Sequence, residues 1–192
     1  MARRPRIQFG GEIHHVTQHG VDDKAIFRDD DDRALFLQLL VEQVRRSSWT
    51  CLAYSFMTTH YHLLVRLSEE TLSSGFQRLN GRYAQLFNRR HSRRGHLFES
   101  RFRNVTVDSE PHRYEVGRYI HLNAPRAKVC ERPEDHRWSD YAATVGLAPP
   151  DPVVDPHLAL EIFGEDLDEA RERYRRFVDE PDPRVRRGQT RV

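Results

Sequence analysis

The sequence predicts an α+β fold, a ferredoxin-like antiparallel sheet with helices on one face, followed by a C-terminal helical extension. Two observations predict it. Short segments with alternating or β-branched apolar residues are separated by segments whose apolar residues recur at helical spacing. Their order along the chain is strand, helix, strand, strand, helix, strand, helix, which is typical of a split βαβ sheet. At 192 residues the chain has room for one domain with a sizeable core.

The first two elements are a strand and a capped helix. Residues 11–18, GEIHHVTQ, carry Val and Thr at positions that favour a strand. Residues 29–32 are four consecutive aspartates, which suit a helix N-terminus because the helix dipole favours negative charge there. The positions that follow at helical spacing are apolar, namely Leu35, Phe36, Leu39, Leu40 and Val44. One side of this helix is therefore expected to pack on the sheet.

A hairpin and a second helix come next. The strands CLAYSFM, 51–57, and YHLLVRL, 61–67, are joined by two threonines and predict an antiparallel hairpin. Residues 68–71 supply acids and caps for a helix that runs to about residue 91. Gly75 and Gly81 weaken this helix and are candidate bends.

The sheet is completed by a fourth strand near residues 102–107, where residues alternate. Ser109 then caps a third helix, and Pro111 lies in its first turn, where the missing N–H is harmless. We expect residues 1–145 to form the main domain. Residues 146–192 are expected to form a Pro-rich linker, a short helical extension and a basic tail.

Charge is unevenly distributed although the net charge is only +2. Arginines crowd the segment between residues 82 and 103, where Glu99 is the one acid and aromatic residues are interleaved. Guanidinium groups bind phosphates and aromatic rings stack on unpaired bases, so this segment predicts contacts with single-stranded nucleic acid. The candidate DNA-contacting residues are Arg89, Arg90, Arg93, Arg94, Arg101 and Arg103. The alternative is a solvated loop whose aromatics face the core.

Other classes of protein are disfavoured by composition. No apolar run is long enough for a membrane span, and the first residues lack the apolar core of a signal peptide, so a cytoplasmic protein is expected. Cys51 and Cys130 have neither CxxC spacing nor the density of a disulfide framework, and both are expected to be reduced.

Two histidines at the start of the third strand are candidate metal ligands. His60 and His62 are two residues apart, so an extended chain places both on one face of the sheet. Two adjacent imidazoles make half of a metal site, although polar residues on a solvated strand face would show the same spacing. The helix HRYEVGRYIHLNAPRA, 112–127, places one stripe of residues toward the sheet, namely His112, Val116, Tyr119, Ile120 and Asn123.

Several ordered motifs together resemble the HUH single-tyrosine transposases, the IS200-like group, and most of all their REP-associated branch. The resemblance covers roughly residues 1–145 in order, and the C-terminal IFGEDLDEARERYRRFV is similar to the helical tail of that group. The motifs are MARRPRIQFGGEIHHVTQHG, AIFRDDDDRALFLQLL, the HYH triplet, RYAQLFNRRHSRRGHLFESRFRNVTVDSE and RYIHLN.

The resemblance implies that Tyr119 is the nucleophile and that His60 and His62 bind a divalent metal, with Asn123 at the position of a polar third ligand. His121 stands where an acid is common in the family, which leaves open whether His121 or Asn123 completes the site. Imidazoles favour Mn²⁺ or Zn²⁺ over Mg²⁺, but phosphate oxygens in the shell make Mg²⁺ acceptable. We expect Mg²⁺ or Mn²⁺.

The implied activity is metal-dependent cleavage and strand transfer of single-stranded DNA at or near hairpin or palindromic repeats, through a covalent 5′-phosphotyrosine. One alternative is a domesticated protein that binds hairpin DNA without cutting it. Another is a structural or hydrolytic zinc site beside an RNA contact, which leaves Tyr119 without a role. Monomer and dimer both occur in the family, and a monomer is favoured here.

Overall fold

The computed structural model describes residues 10–68 and 71–180. The four strands are β1 (Ile13–His19), β2 (Thr50–Phe56), β3 (His60–Arg66) and β4 (Arg103–Val107). The helices are α1 (Asp30–Ser47), α2 (Leu72–Arg90), α3 (Glu110–His121), α4 (Asn123–Arg126), α5 (Tyr141–Thr144), α6 (Pro156–Ala159) and α7 (Leu167–Asp179). The strand order is β2-β3-β1-β4 and all neighbours are antiparallel, so the predicted ferredoxin-like α+β class is confirmed.

Helices α1 and α2 cover one face of the sheet. Asp29 caps α1 by accepting a hydrogen bond from the backbone N–H of Asp32, as the sequence predicted. Phe36 of α1 and Phe76 of α2 are fully buried, and they share a core with Tyr61 and Leu63 of β3. The apolar periodicity of both helices therefore faces the sheet.

Helix α3 packs on the opposite face, which corrects the prediction that the helices occupy one face only. Ile120 is fully buried there against Leu52 and Leu64, and Val116 and Tyr119 pack at the edge of this second cluster. Because strand residues alternate between faces, β3 supplies Leu63 to one side and Leu64 to the other. The arrangement is a three-layer one, and α3 lies over the face that carries the histidines.

Helix α2 is continuous at the two glycines that were candidate bends. A Cβ atom at Gly75 would lie 2.2 Å from a ring carbon of Trp49, so only glycine lets that ring approach the helix. A Cβ at Gly81 would meet nothing within 4 Å. Gly75 thus serves close packing rather than bending.

Residues 146–180 lie against the sheet. Val154 forms a parallel bridge with Cys51 of β2, and the hydroxyl of Tyr54 donates to Asp151 at 2.7 Å. Leu160 and Tyr174 are buried members of the main core. The segment predicted as a linker therefore makes specific contacts with β2. The basic tail beyond residue 180, residues 1–9 and the acids at 69–70 lie outside the described residues. In the described part of the chain, no helix is both long and apolar enough to cross a membrane.

Candidate metal and nucleophile site

The histidine pair lies on the face of β3 that looks toward α3. His60 and His62 are separated by 5.0 Å between ring centroids, with the rings at 88°. In the antiparallel register His60 lies opposite His19 of β1 and His62 lies opposite Thr17. The alternation of β3 therefore produces the shared face that the sequence predicted, while Tyr61 between them enters the core.

Both ring nitrogens of His62 have partners. Nδ1 lies 3.0 Å from Nε2 of His15 and 3.2 Å from Oγ1 of Thr17. Nε2 accepts a hydrogen bond of 3.1 Å from the amide of Asn123. The tautomer that satisfies all three contacts carries its proton on Nδ1, so the lone pair of Nε2 faces Asn123. A buried partner that fixes the tautomer in this way is the usual support of a metal-binding imidazole.

Asn123 reaches the histidines from a position beyond the end of α3. The helix ends at His121, and Asn123 is the first residue of the short helix α4. Asn123 is therefore not on the same helix as the other residues of the predicted stripe. Its side chain nevertheless hydrogen-bonds both His62 and His60. Rotating its amide by half a turn would present the oxygen instead of the nitrogen to the same two rings.

Tyr119 lies at the edge of the pair. Its ring centroid is 5.5 Å from that of His62 and 5.9 Å from that of His15, in edge-on contacts. The guanidinium of Arg126 lies 5.9 Å from the ring centroid. The side chain is half-buried. The structure therefore brings together Tyr119, His60, His62 and Asn123, and with His15 and Thr17 we call this group the histidine cluster.

Burial keeps the imidazoles of the histidine cluster neutral. It lowers the pKa of His60 and holds the pKa of His62 well below its ordinary range, and the charges of neighbouring imidazoles act in the same direction. Burial, helped by the charge of His112, lowers the pKa of His15 to about 4. Near neutral pH these rings are free bases with available lone pairs.

The donor set fits a divalent cation. Neutral imidazole nitrogens and a carboxamide oxygen suit Mn²⁺ and Zn²⁺, and Mg²⁺ when oxygen ligands complete the shell. Within residues 10–68 and 71–180, His60, His62 and Asn123 make no hydrogen bond to a carboxylate. A cation held there would gain its neutralising charge from an anionic substrate.

His121, the other candidate third ligand, points away from the histidine cluster. Its Nδ1 lies 2.7 Å from the hydroxyl of Tyr174 and its Nε2 lies 3.0 Å from Oδ1 of Asp140. Both nitrogens are engaged and the side chain is buried. This geometry leaves Asn123 as the side chain placed to complete a site with His60 and His62.

A second group of ligand-type side chains lies at the start of α1, and we call it the acidic cluster: Asp29, Asp32 and His91. One ligand atom from each lies within 4.8 Å of the others. Nη1 of Arg90, however, lies 2.6 Å from an oxygen of Asp29 and 2.6 Å from an oxygen of Asp32. A guanidinium already supplies the positive charge, so the acidic cluster is an ion-pair network.

The six predicted DNA-contacting arginines divide into two sets. Arg90 is bound to aspartates, and Arg93 donates to the backbone carbonyl of His96 and to the side chain of Asn88. The others are exposed, namely Arg89, Arg94, Arg101 and Arg103. Arg103 pairs with Thr17 across β1 and β4, so it lies on the same sheet face as the histidine cluster.

The sequence reasoning missed two neighbours of the histidines, Thr17 and His19. His19 stacks on His60 with ring centroids 4.8 Å apart. Alternation along β1 places His15, Thr17 and His19 on one face, so this pattern could have found them once the pairing of β1 with β3 was assumed. His14 lies on the opposite face, beside Asn104 and Thr106.

A family model matches the part of the chain that contains this site. The family model described as Transposase IS200 like matches residues 11–123, a segment that includes His60, His62 and Tyr119 and ends at Asn123. Among curated proteins, no significant match is found.

One solved structure supports the fold, and two others show weaker similarity. The REP-associated tyrosine transposase bound to a REP hairpin superposes with a TM-score of 0.58 at 17% identity, over 81% of this chain and 93% of that one. A putative transposase from Deinococcus radiodurans has a TM-score of 0.43 at 17% identity, over 62% of this chain and 95% of the other. The tRNA(His) guanylyltransferase from Saccharomyces cerevisiae has a TM-score of 0.47 at 11% identity, over 93% and 85%. The likeness at a TM-score of 0.58 concerns the fold alone. The family follows from the match over residues 11–123: the chain belongs to the IS200-like transposases.

Proposed function

We propose that this transposase is a metal-dependent nuclease and strand transferase of single-stranded DNA, which cleaves at or near hairpin repeats through a covalent 5′-phosphotyrosine on Tyr119. The observation that carries the proposal is that Tyr119 and Asn123 both contact or lie beside His62. They follow His62 by 57 and 61 positions in the sequence, yet all three side chains lie on one face of the sheet. Family membership supports an enzyme that acts on DNA, and the hairpin in the REP-associated relative supports the substrate class.

The chemistry assigns each side chain a task. The phenol oxygen of Tyr119 attacks the scissile phosphorus, and the bond from phosphorus to the 3′-oxygen breaks. The 5′-phosphate becomes attached to Tyr119, and the leaving strand ends in a 3′-hydroxyl. The phenol proton leaves to water or to a neutral imidazole beside the ring, and the departing 3′-oxygen gains a proton. Because the phosphotyrosine conserves the bond energy, attack by another 3′-hydroxyl joins strands without ATP.

His60, His62 and Asn123 would hold a divalent cation, Mg²⁺ or Mn²⁺, which supplies Lewis-acid stabilisation of charge on the phosphate. The chain's own contribution is orientation. Thr17 and His15 fix the tautomer of His62, and burial keeps both rings unprotonated. Exposed arginines near the site, Arg103 among them, would contact the DNA backbone.

The decisive experiment uses a hairpin oligonucleotide with single-stranded flanks, drawn from repeats near the gene and labelled differently at its two ends. With Mg²⁺ or Mn²⁺, we expect a denaturing gel to show a protein adduct that carries the 3′-end label. The released 5′-labelled fragment should be extendable by a polymerase because it ends in a 3′-hydroxyl. Chelator and Tyr119→Phe should abolish the adduct.

Tyr141→Phe is the matched control, since it removes a phenol hydroxyl away from the histidine cluster and should leave the adduct intact. Cleavage without an adduct, or an adduct that survives Tyr119→Phe, would exclude the proposed nucleophile. Hairpin binding in a native gel with no adduct for any flank would instead support a DNA-binding protein that does not cut.

A further inference from the structure

His121 lies between two residues of the proposed site in sequence but takes no part in it. Tyr119 precedes it by two positions and Asn123 follows it by two, while its own ring is buried on the far side of α3. A step of two residues along a helix turns the side chain by roughly 200°, which explains why His121 and Tyr119 point in opposite directions. The contacts of the His121 ring are therefore coupled to the rotation of α3 about its axis, and so to the direction in which Tyr119 points.

The ring of His121 is held from two directions. The hydroxyl of Tyr174 lies 2.7 Å from Nδ1, within hydrogen-bond distance. Nε2 donates a hydrogen bond to the carboxylate of Asp140 at 3.0 Å. Asp140 is fully buried. Each polar atom in this chain of contacts has a partner, which is the condition under which a buried network fixes one geometry.

Asp140 connects this network to the strand next to the histidines. Its Oδ1 also accepts from the backbone N–H of Tyr54 at 2.6 Å, and its Oδ2 accepts from the hydroxyl of Thr144 at 2.9 Å. Tyr54 belongs to β2, which pairs with β3, and β3 carries His60 and His62. Asp140 therefore links α3 through hydrogen bonds to the same sheet that holds the proposed metal ligands.

Helix α7 makes further contacts with the same turn of α3. A Cβ at Gly117 would lie 3.4 Å from the hydroxyl of Tyr174, an ordinary contact distance, so this turn of α3 lies directly beside Tyr174. The guanidinium of Arg118 donates to the backbone carbonyl of Glu180 and lies 4.9 Å from the ring centroid of Phe177. Residues outside the segment matched by the family model therefore pack against the helix that carries Tyr119.

We propose that His121, Asp140 and Tyr174 form a positioning network, which fixes the rotation of α3 and thereby sets Tyr119 and Asn123 against His62. The inference rests on the proposed function, because it assigns these residues to the placement of the nucleophile. A displacement of about 1 Å at a reacting group costs on the order of 100-fold in rate. The network acts through α3 and does not touch the DNA or the metal.

Tyr174→Phe tests the network with the loss of one hydroxyl. We expect the rate of adduct formation at saturating hairpin DNA and Mn²⁺ to fall by about tenfold or more, with hairpin affinity unchanged, since α3 loses its register while the DNA surface stays intact. All rates are measured well below the melting midpoint of each variant. If the network served stability alone, the folded variant would react at the wild-type rate, and the proposal would be overturned.

Tyr141→Phe provides a matched control in the same cluster. The Tyr141 ring lies 5.2 Å from that of His121 and 6.2 Å from that of Tyr174 and is buried, but within the described ranges its hydroxyl makes no hydrogen bond. The same substitution there should leave the rate unchanged. A slowing equal to that of Tyr174→Phe would show that cavity packing, and not the hydrogen bond to His121, is responsible, and would overturn the proposal.

Amide hydrogen exchange tests the network without any activity. In Tyr174→Phe we expect faster exchange of the backbone amides of residues 119–123, while amides of β1 and β3 exchange as in the wild type. Unchanged exchange in α3 would contradict the positioning role. If the wild-type protein forms no adduct, the proposed function fails on its own, and the exchange result alone decides whether Tyr174 holds α3 in register.

Discussion

The histidine cluster and the acidic cluster both gather side chains that bind metals, and they differ in what neutralises them. In the acidic cluster, Arg90 places one nitrogen 2.6 Å from both Asp29 and Asp32, and a second nitrogen 2.9 Å from Asp31. In the histidine cluster the ligands are neutral and their partners are a hydroxyl, an amide and another imidazole. The carboxylate lone pairs of the acidic cluster are thus already occupied by the guanidinium of Arg90.

This difference shows that ligand chemistry alone does not make a metal site. A group whose oxygens already accept hydrogen bonds from a guanidinium would have to break them before it could bind a cation. Among the described residues, no guanidinium hydrogen-bonds His60 or His62, and burial favours the neutral form of these imidazoles, which is the form that binds metal. We therefore place the proposed chemistry at His60 and His62 and a structural role at Asp32.

The largest expected effect comes from removing one imidazole from each cluster. His62→Ala should slow adduct formation by more than about 100-fold, since the loss of a mere supporting partner of a metal ligand already costs about 10–100-fold. His91→Ala should leave the rate unchanged and lower the thermal midpoint, because a buried contact of Asp32 is lost. Adduct kinetics, Mn²⁺ titration by calorimetry and thermal melts of both variants provide the measurement.

The opposite pattern would exchange the roles of the two clusters. If His91→Ala abolished Mn²⁺ binding and His62→Ala left it intact, the acidic cluster would be the metal site and the ion pairs of Arg90 would have to open on binding.

A smaller effect is expected from pH on the metal-free protein. The unfolded chain binds protons on histidine below about pH 6.5, whereas His15 resists protonation down to a pKa of about 4. The contribution of the neutral His15 ring to the free energy of unfolding is therefore fully present above pH 6.5 and is lost as the pH falls toward 4. Its size is about 1.4 kcal/mol per unit of difference between the folded and unfolded pKa values. Asp29, whose pKa Arg90 lowers, loses its contribution only below about pH 4.

Urea unfolding at pH 7, 5 and 3.5 separates these two windows. His15→Asn should reduce the fall in the free energy of unfolding between pH 7 and 5. Asp29→Asn keeps a good helix cap and should retain that decline while weakening the one at lower pH. A stability that is constant from pH 7 to 5 in the wild type would contradict the neutral, buried state of the imidazoles.

Local signals in the sequence were enough to predict most of the fold. Asp29 and Ser109 each cap the helix that follows by accepting from a backbone N–H three residues on, and such caps depend on neighbouring residues alone. The hairpin of β2 and β3 and the shared face of His60 and His62 follow from alternation. These features were readable because their causes lie within a few residues.

Features that depend on distant partners were not readable. Placing α3 on the second face depends on Ile120 meeting Leu52 and Leu64, which no local pattern specifies. His121 is separated from Tyr174 by 53 residues, so its part in a buried network could not be distinguished from metal binding. The exit of Asn123 into α4 was missed because helix ends are the least certain feature of a periodicity.

The arginine-rich segment shows the same limit. Within residues 82–103 the arginines look equivalent, and the local sequence carries almost no acid to oppose them. Arg90 nevertheless meets aspartates about 60 positions earlier in the chain, while Arg103 stays exposed beside the histidine cluster. Charge patterning identified the segment, and only folding divided it into structural and available residues.

The smallest expected effect tests this division. Arg103→Gln should reduce the salt dependence of hairpin binding, lowering the slope of log affinity against log salt by about 0.7, because one phosphate contact of single-stranded DNA is lost. Arg90→Gln should leave that slope unchanged and lower the thermal midpoint, since its charge serves Asp29 and Asp32. Fluorescence anisotropy with a labelled hairpin between low and moderate salt measures the slope. Equal slopes for Arg103→Gln and the wild type would remove Arg103 from the DNA surface, and a reduced slope for Arg90→Gln would mean that DNA competes with the aspartates for this guanidinium.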